Sequence, residues 1–235
     1  MEFSKLNAPT LKELFVKEFE TMILSGQLKV GQRLPSEREL AASMQVSRAV
    51  VNSGIAELAR KGFLHVKPRS GVYVTDYRRF GTVETLLSIM NYNGGQLRKE
   101  EVRSILEIKI VVDSLAVELA IRTMTKEDLK ELRMRLKEMR EETVFEKYGD
   151  LLFDFYHELM MVSGNSLLPL IYRSFRIPIV HLWLRFVRKY GTKTAYESAC
   201  RIYEALEARD QEAAVRAVEN AIRESLGGSR EIYED

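Results

Sequence analysis

The sequence predicts a mainly α-helical chain in two parts. The first is an N-terminal winged helix-turn-helix with a small β-hairpin, and the second a C-terminal all-α antiparallel helical bundle. Three observations predict this. Residues 34–76 read LPSERELAASMQVSRAVVNSGIAELARKGFLHVKPRSGVYVTD, two capped helical stretches followed by two alternating ones. From Leu97 onward the apolar residues recur at helical spacing, with no second alternating stretch. Between the parts, Asn91-Tyr92-Asn93-Gly94-Gly95 is rich in residues that favour turns.

Residues 1–10 are polar and expected to fray. Leu11 to Ser25 follows as a helix, with Leu11, Leu14, Phe15, Phe19, Met22 and Ile23 on one face and Gly26 as its stop. Leu28 to Leu34 reads as an extended link. Ser36 and Glu39 have the spacing of a capping box, with Leu40, Ala41 and Met44 on the buried side of the helix they start. Ser47 caps the next helix, which buries Val50, Val51, Ile55, Leu58 and Ala59 and ends at Gly62. Phe63 to Lys67 alternates, Pro68-Arg69-Ser70-Gly71 turns, and Val72-Tyr73-Val74 alternates again. Two helices followed by such a hairpin form a winged helix-turn-helix, whose second helix enters a major groove.

The polar residues fall where nucleic acid would meet this unit. Arg38, Ser47, Arg48 and Asn52 cluster near two helix starts, and Lys67 and Arg69 sit at the hairpin tip. Helix N-termini offer free N–H groups to phosphates, and arginine reads guanine bidentately.

SERELAASMQVSR, LARKGF and PRSGVYV resemble the N-terminal domain of the GntR family of bacterial transcription regulators, over about residues 10–76. By this resemblance Arg38, Ser47, Arg48 and Val50 fall on DNA-contacting positions. Arg69 to Gly71 fall on the wing that enters the minor groove. Family members usually carry Arg-Glu-Ala where this chain has Asn52, Ser53 and Gly54, which implies a different operator.

The whole chain has 235 residues, 46% of them hydrophobic, and a formal net charge of +2. Residues 1–76 hold eleven Lys and Arg against eight Asp and Glu, and the remainder holds 25 against 26. A mildly basic head on a neutral body suits a DNA-binding unit with a second task. No apolar run approaches the ~18 residues of a membrane helix, and the N-terminus lacks the pattern of a secretory signal. The single cysteine, Cys200, has no partner for an internal disulfide. A cytoplasmic protein without membrane contact is expected. The sequence has no GxSxG, HExxH, P-loop or dinucleotide fingerprint, so enzyme readings find no support.

The boundaries read from these patterns are 1–76 for the head, 77–95 for a hinge and linker helix, 96–228 for the helical body and 229–235 for a tail. Tyr77 to Gly81 reads as a short basic hinge, and Val83 to Met90 as the linker helix. Lys99 to Thr123 is a long helix with apolar residues on more than one side, as expected of a central helix. Thr125 with Asp128 caps a charged helix to about Glu142. Phe145 to Val162 comes next. Asn165 is expected to cap a long helix to about Lys189, kinked at Pro178. Thr194–Ala208 and Asp210–Leu226 form a last pair joined at Arg209, and Gly227-Gly228 closes the fold.

VRSILE at 102–107, FYHELMMVSGN at 155–165 and YEALEARDQEAA at 203–214 resemble the ligand-binding domain of the FadR subfamily of GntR regulators. Many such domains hold a divalent metal through one carboxylate and three histidines. This chain matches that set only at His157, with Phe153, Ala199 and Ala221 at the other positions. No metal and no cofactor is therefore expected, and Asp154 and His157 read as a hydrogen-bonded pair on one helix face. The FadR type itself, by resemblance, binds a long-chain acyl-CoA without metal.

Phe153, Tyr156, Leu159, Met160, Met161, Tyr172, Trp183 and Phe186 could line an apolar cavity or simply form core. Arg103, read as partly buried, needs either Glu107 or a ligand anion. Arg173 and Arg176 raise the same question. The candidate ligand residues are Arg103, Tyr156, His157, Tyr172 and Arg173.

The expected function is a ligand-responsive regulator that binds double-stranded operator DNA as a homodimer. Its effector is a small organic anion, favoured as acyl-CoA or fatty-acid-like. A metal-dependent carboxylate sensor of the same family and a constitutive DNA-binding dimer are the alternatives.

Overall fold

The structure, a computed structural model, describes residues 8–92 and 98–233. The chain divides after Gly94 into two compact units.

In the first unit α1 (Leu11–Leu24) starts at a capping box of Thr10 with Glu13. Chain 30–34 then runs beside the wing, with Leu34 N–H donating to Val72 C=O at 2.9 Å and Arg33 bridging Tyr73. α2 (Glu37–Ser43) starts at the expected box, in which Ser36 N–H donates to Glu39 at 2.8 Å. Gln45 makes the tight turn at a positive φ of 53°. α3 (Arg48–Arg60) is capped by the Ser47 hydroxyl, which accepts from Val50 N–H at 3.3 Å. β1 (Leu64–Lys67) and β2 (Gly71–Val74) pair antiparallel, Leu64 opposite Val74. Phe15, Phe19, Val51, Ile55, Leu58, Phe63 and Val74 form the core.

The segment expected as a hinge is a helical turn, α4 (Tyr77–Phe80), with Asp76 as its cap and the Tyr77 ring 5.7 Å from Phe63. The linker helix, α5 (Val83–Asn91), packs on the same unit. Thr85 donates to Lys61 C=O, Arg60 pairs with Glu84, and Ser88 donates to Glu20 at 2.8 Å. Asn93, Gly94 and Gly95 of the expected break lie outside the described residues, as do residues 1–7 of the frayed start and 234–235 of the tail.

The second unit is helical throughout its described residues. α6 (Lys99–Thr123) packs against later helices of the unit. α7 (Lys126–Glu141) has the Thr125–Asp128 box, and α8 (Phe145–Val162) follows. The helix expected from Asn165 to Lys189 is instead two. α9 (Leu168–Ser174) ends before α10 (Arg176–Glu207), which is kinked at Gly191 with φ 83°. Pro178 is the third residue of α10, where no intrahelical N–H bond exists to be lost, so it does not kink the helix. α11 (Gln211–Gly227) follows the turn at Arg209. The core lies among Val102, Leu106, Leu132, Leu152, Phe155, Leu159, Ile202, Leu206 and Val218.

Candidate functional site

The helix-turn-helix exposes the residues that the sequence singled out. The side chains of Arg38, Ser47, Arg48, Asn52, Lys67 and Arg69 are exposed, and Val50 and Gly71 are half-buried. Ser47 spends its hydroxyl on the helix cap, which aims the start of α3 outward. With its amide nitrogen turned toward α2, Asn52 donates to the Glu37 carboxylate at 3.0 and 2.5 Å. This contact sets the first turn of α2, with Arg38, beside the first turns of α3, with Arg48. At the wing, Arg69 holds a positive φ of 62° and Gly71 one of 126°. L side chains are strained at the φ of Gly71, so the tight tip needs glycine there. The Lys67 ammonium rests 4.9 Å from the centre of the Tyr73 ring.

At Gly54 the departure has a packing reason. α1 and α3 approach so closely that a Cβ on Gly54 would lie 2.3 Å from Phe15. The Phe15 ring, stacked on Phe19 at 4.6 Å, fills that space instead.

In the helical unit the sequence reading missed the charged centre. Lys109 and Asp113, one turn apart on α6, are 6% and 0% exposed and form an ion pair inside the bundle. The Lys109 ammonium also donates to the Tyr172 hydroxyl at 3.2 Å. It lies 3.9 Å from the centre of the Tyr156 ring and 5.6 Å from that of Trp183, an aromatic cage around a cation. Burial pushes the Lys109 ammonium below its ordinary pKa and the Asp113 carboxyl above its own, each opposed by the partner's charge. Burial likewise raises the Tyr156 and Tyr172 phenols. One Asp113 oxygen is buried without a hydrogen bond. The Trp183 indole N–H is buried near the Tyr172 hydroxyl without an aligned bond. Two cavities of about 20 Å³ flank Lys109, each with room for about one water.

A signal for this centre was present in the sequence. Leu106, Lys109, Asp113, Ala116 and Ala120 share one face of α6, and all are buried. A charged pair spaced i, i+4 on that face has to be paired within the core.

The predicted ligand residues divide. Tyr156 and Tyr172 meet at Lys109. His157 is half-buried, with its ring 5.8 Å from that of Phe153. Burial raises the pKa of the Asp154 carboxyl and the charge of His157 opposes the rise, so His157 and Asp154 interact electrostatically and not through the expected hydrogen bond. Arg103 is a correction: its side chain is 67% exposed, 3.7 Å from Glu107, because it lies on the outer face of α6. Arg173 is also exposed, and Arg176 pairs with Asp150 at 2.5 Å on the surface.

The metal that the resemblance implies for many relatives does not fit here. Ala199 is fully buried, and Ala221 lines a cavity beside Lys109. Methyl groups cannot ligate, and the ammonium already places a cation in that interior. Among the described residues no three His, Cys, Asp or Glu side chains gather as a metal site.

α6 is not covered on all sides, as its apolar pattern suggested. Ile108, Val111 and Leu115, one turn apart, are 51%, 67% and 40% exposed. No described helix is long and apolar enough to cross a membrane.

Comparison with known proteins agrees with this architecture. Residues 13–74 match "Bacterial regulatory proteins, gntR family", and residues 104–224 match the FCD domain. The chain is 28% identical over 218 residues to the HTH-type transcriptional regulator LutR of Bacillus subtilis, covering 88% of this chain and 97% of that one. It is 27% identical over 164 residues to the Exu regulon transcriptional regulator of Escherichia coli K12, covering 68% and 60%. A solved structure described by the words "Lar controls the expression of the Listeria monocytogenes agr system and mediates virulence" shares the fold. It has 18% identity and a TM-score of 0.60, covering 94% of this chain and 97% of that one. With a winged helix-turn-helix at its N-terminus and an FCD ligand-binding domain behind it, the chain belongs to the GntR family and is a DNA-binding transcription regulator, not an enzyme.

Proposed function

We propose that this regulator binds two-fold operator DNA as a cytoplasmic homodimer and that a small organic anion in the helical unit sets its operator affinity. The observation that carries the effector reading is the Lys109–Asp113 pair buried in an aromatic cage. A charged pair in a helical core costs desolvation that a well-packed apolar pair would avoid, so it supports a recognition role. Lys109 replaces Arg103 as the cation that meets the effector. An acyl-CoA suits this unit less well than a small carboxylate, because the spaces beside Lys109 are about 20 Å³ each.

Arg48 and Arg38 carry base and phosphate contacts in the major groove, and Arg69 serves the wing. The exposed stripe of Ile108, Val111 and Leu115 supports dimerisation through α6. Effector binding shifts the population of head arrangements by no more than its difference in affinity for them.

The competing reading is a constitutive DNA-binding dimer, which the smallness of the cavities favours. The test is thermal unfolding and calorimetry against acyl-CoAs and short carboxylates, with operator binding measured alongside. A ligand present at 100 times its Kd adds about 2.7 kcal/mol. If no compound raises stability or alters operator affinity, the constitutive reading stands.

A further inference from the structure

The chain does not leave the second unit where α11 ends. At Gly228 it turns and runs back along the last turn of that helix. Arg230 N–H donates to Glu224 C=O at 3.1 Å, and Ile232 N–H to Ser225 C=O at 3.3 Å. Two carbonyls that a helix end leaves unpaired are thereby satisfied. The Tyr190 hydroxyl donates to Glu231 C=O at 2.7 Å. Arg230 reaches the Glu224 carboxylate at 3.1 Å, and the Lys99 ammonium lies 4.8 Å from the centre of the Tyr233 ring. The result is a strap, Ser229 to Tyr233, that drives one side chain inward. Ile232 is 4% exposed although it belongs to no helix.

Ile232 closes one of the two cavities beside Lys109. Leu106, Ile179, Phe186 and Ile222 supply its apolar wall, and Lys109 and Ser225 its polar end. The Lys109 ammonium has three donors. Asp113 and the Tyr172 hydroxyl account for two. An apolar slot bordered by an ammonium, one of whose donors is met only by the face of the Tyr156 ring, is complementary to an aliphatic chain ending in a carboxyl group that can take up that donor. With about 20 Å³ open, such a chain needs a lining side chain to give way, and Ile232 is the one carried by no helix.

The strap can yield that place. Among the described residues it is held by two backbone bonds, one phenol bond, a partly exposed ion pair and one cation–ring contact, with Ile232 and the Tyr233 hydroxyl as its buried groups. Segments with so few buried contacts open locally at far lower free energy than the fold as a whole.

We propose that Ile232 is a resident stand-in for the alkyl chain of a short aliphatic carboxylic acid, which binds beside Lys109 by displacing the strap Ser229–Tyr233. This rests on the reading of the helical unit as an effector site, and it adds the ligand class and a built-in competitor. Release of the strap would also uncover the last turn of α11 and the N-terminal turn of α6, where Lys99 sits.

The probe is hexanoate, with hexan-1-ol as the uncharged control, titrated by calorimetry into the full chain. Three further chains are compared: one ending at Gly228, Ile232→Ala, and Lys109→Met/Asp113→Leu. A nitroxide on Tyr233→Cys, in a Cys200→Ser background, reports strap mobility. The expected result is hexanoate binding with the strap mobilised at saturation. Affinity should be at least tenfold tighter in the truncated chain and in Ile232→Ala, and at least tenfold weaker in the double variant. Circular dichroism checks the folding of the truncated chain, and Ile232→Ala serves if that chain fails to fold. Equal hexanoate affinity with and without Ile232, or an immobile label at saturation, overturns the strap and leaves the effector reading standing. Hexanol bound as tightly as hexanoate overturns the role of Lys109. No hexanoate binding in any of these chains overturns the inference, whereas the effector reading falls only if no other compound class binds either.

Discussion

Gly54 and Phe15 share one space: a Cβ on Gly54 would lie 2.3 Å from Phe15 Cδ1, and the ring is 2% exposed. The ring of α1 therefore lies directly against the backbone of α3, the helix that carries Arg48. Gly54→Ala should gain about 1 kcal/mol of helix propensity and lose about 1–3 kcal/mol to overpacking. The expected net effect is a loss of stability. Combining it with Phe15→Leu should recover part of that loss, because the two changes meet at one place. Urea unfolding of the four chains measures this, and additivity within ~0.3 kcal/mol would mean that the contact does not couple them.

The Lys109–Asp113 pair makes the second prediction. Asp113→Ala leaves a buried ammonium without its partner and should cost about 3–5 kcal/mol. Lys109→Met/Asp113→Leu removes both charges and should lie much closer to wild type. A double variant as unstable as Asp113→Ala would show that packing, and not the stranded charge, sets the cost.

For the DNA-binding head, Arg48→Ala should weaken operator binding by about 1–3 kcal/mol and relax base preference. Arg69→Ala should weaken binding more evenly across sequences and lower the salt dependence. Affinity measured on operator and scrambled duplexes at several salt concentrations distinguishes them. Unchanged operator affinity in Arg48→Ala would remove the role proposed for α3.

The exposed apolar stripe of α6 makes the fourth prediction. Val111→Glu puts a charge at the most exposed of its three residues, 67% accessible in the single chain. If two chains meet there, the variant should sediment as a monomer at concentrations where wild type is a dimer. It should retain its helical content and lose affinity for two-fold operator DNA. A wild-type dimer left intact by Val111→Glu would move the interface elsewhere.

The head was legible because its signals are local. Ser36 with Glu39, Ser47 before Val50, and Gly71 at the wing each act within a few residues, and caps and turns obey short-range geometry. The same locality made the Thr125–Asp128 box and the helix Lys99–Thr123 readable. Pro178 misled because the helix start moved past Phe175, and proline at the third position of a helix breaks nothing.

What only the tertiary structure decided is which side of each helix faces inward. α6 carries apolar residues on both sides, so periodicity could not say whether Arg103 or Lys109 is buried. Packing against α8, α10 and α11 turned Lys109 and Asp113 in and left Arg103, Ile108 and Val111 outside. The cage of Tyr156, Tyr172 and Trp183 brings side chains of three successive helices, α8, α9 and α10, onto Lys109 of the much earlier α6. Ile232 comes from a tail with no periodicity at all. By itself the sequence determined the family, the two-part architecture and the exposed positions of Arg38, Arg48 and Arg69, because those depend on near neighbours. The charged centre and its plug depend on long-range packing, where burial and desolvation choose among faces that look alike in sequence.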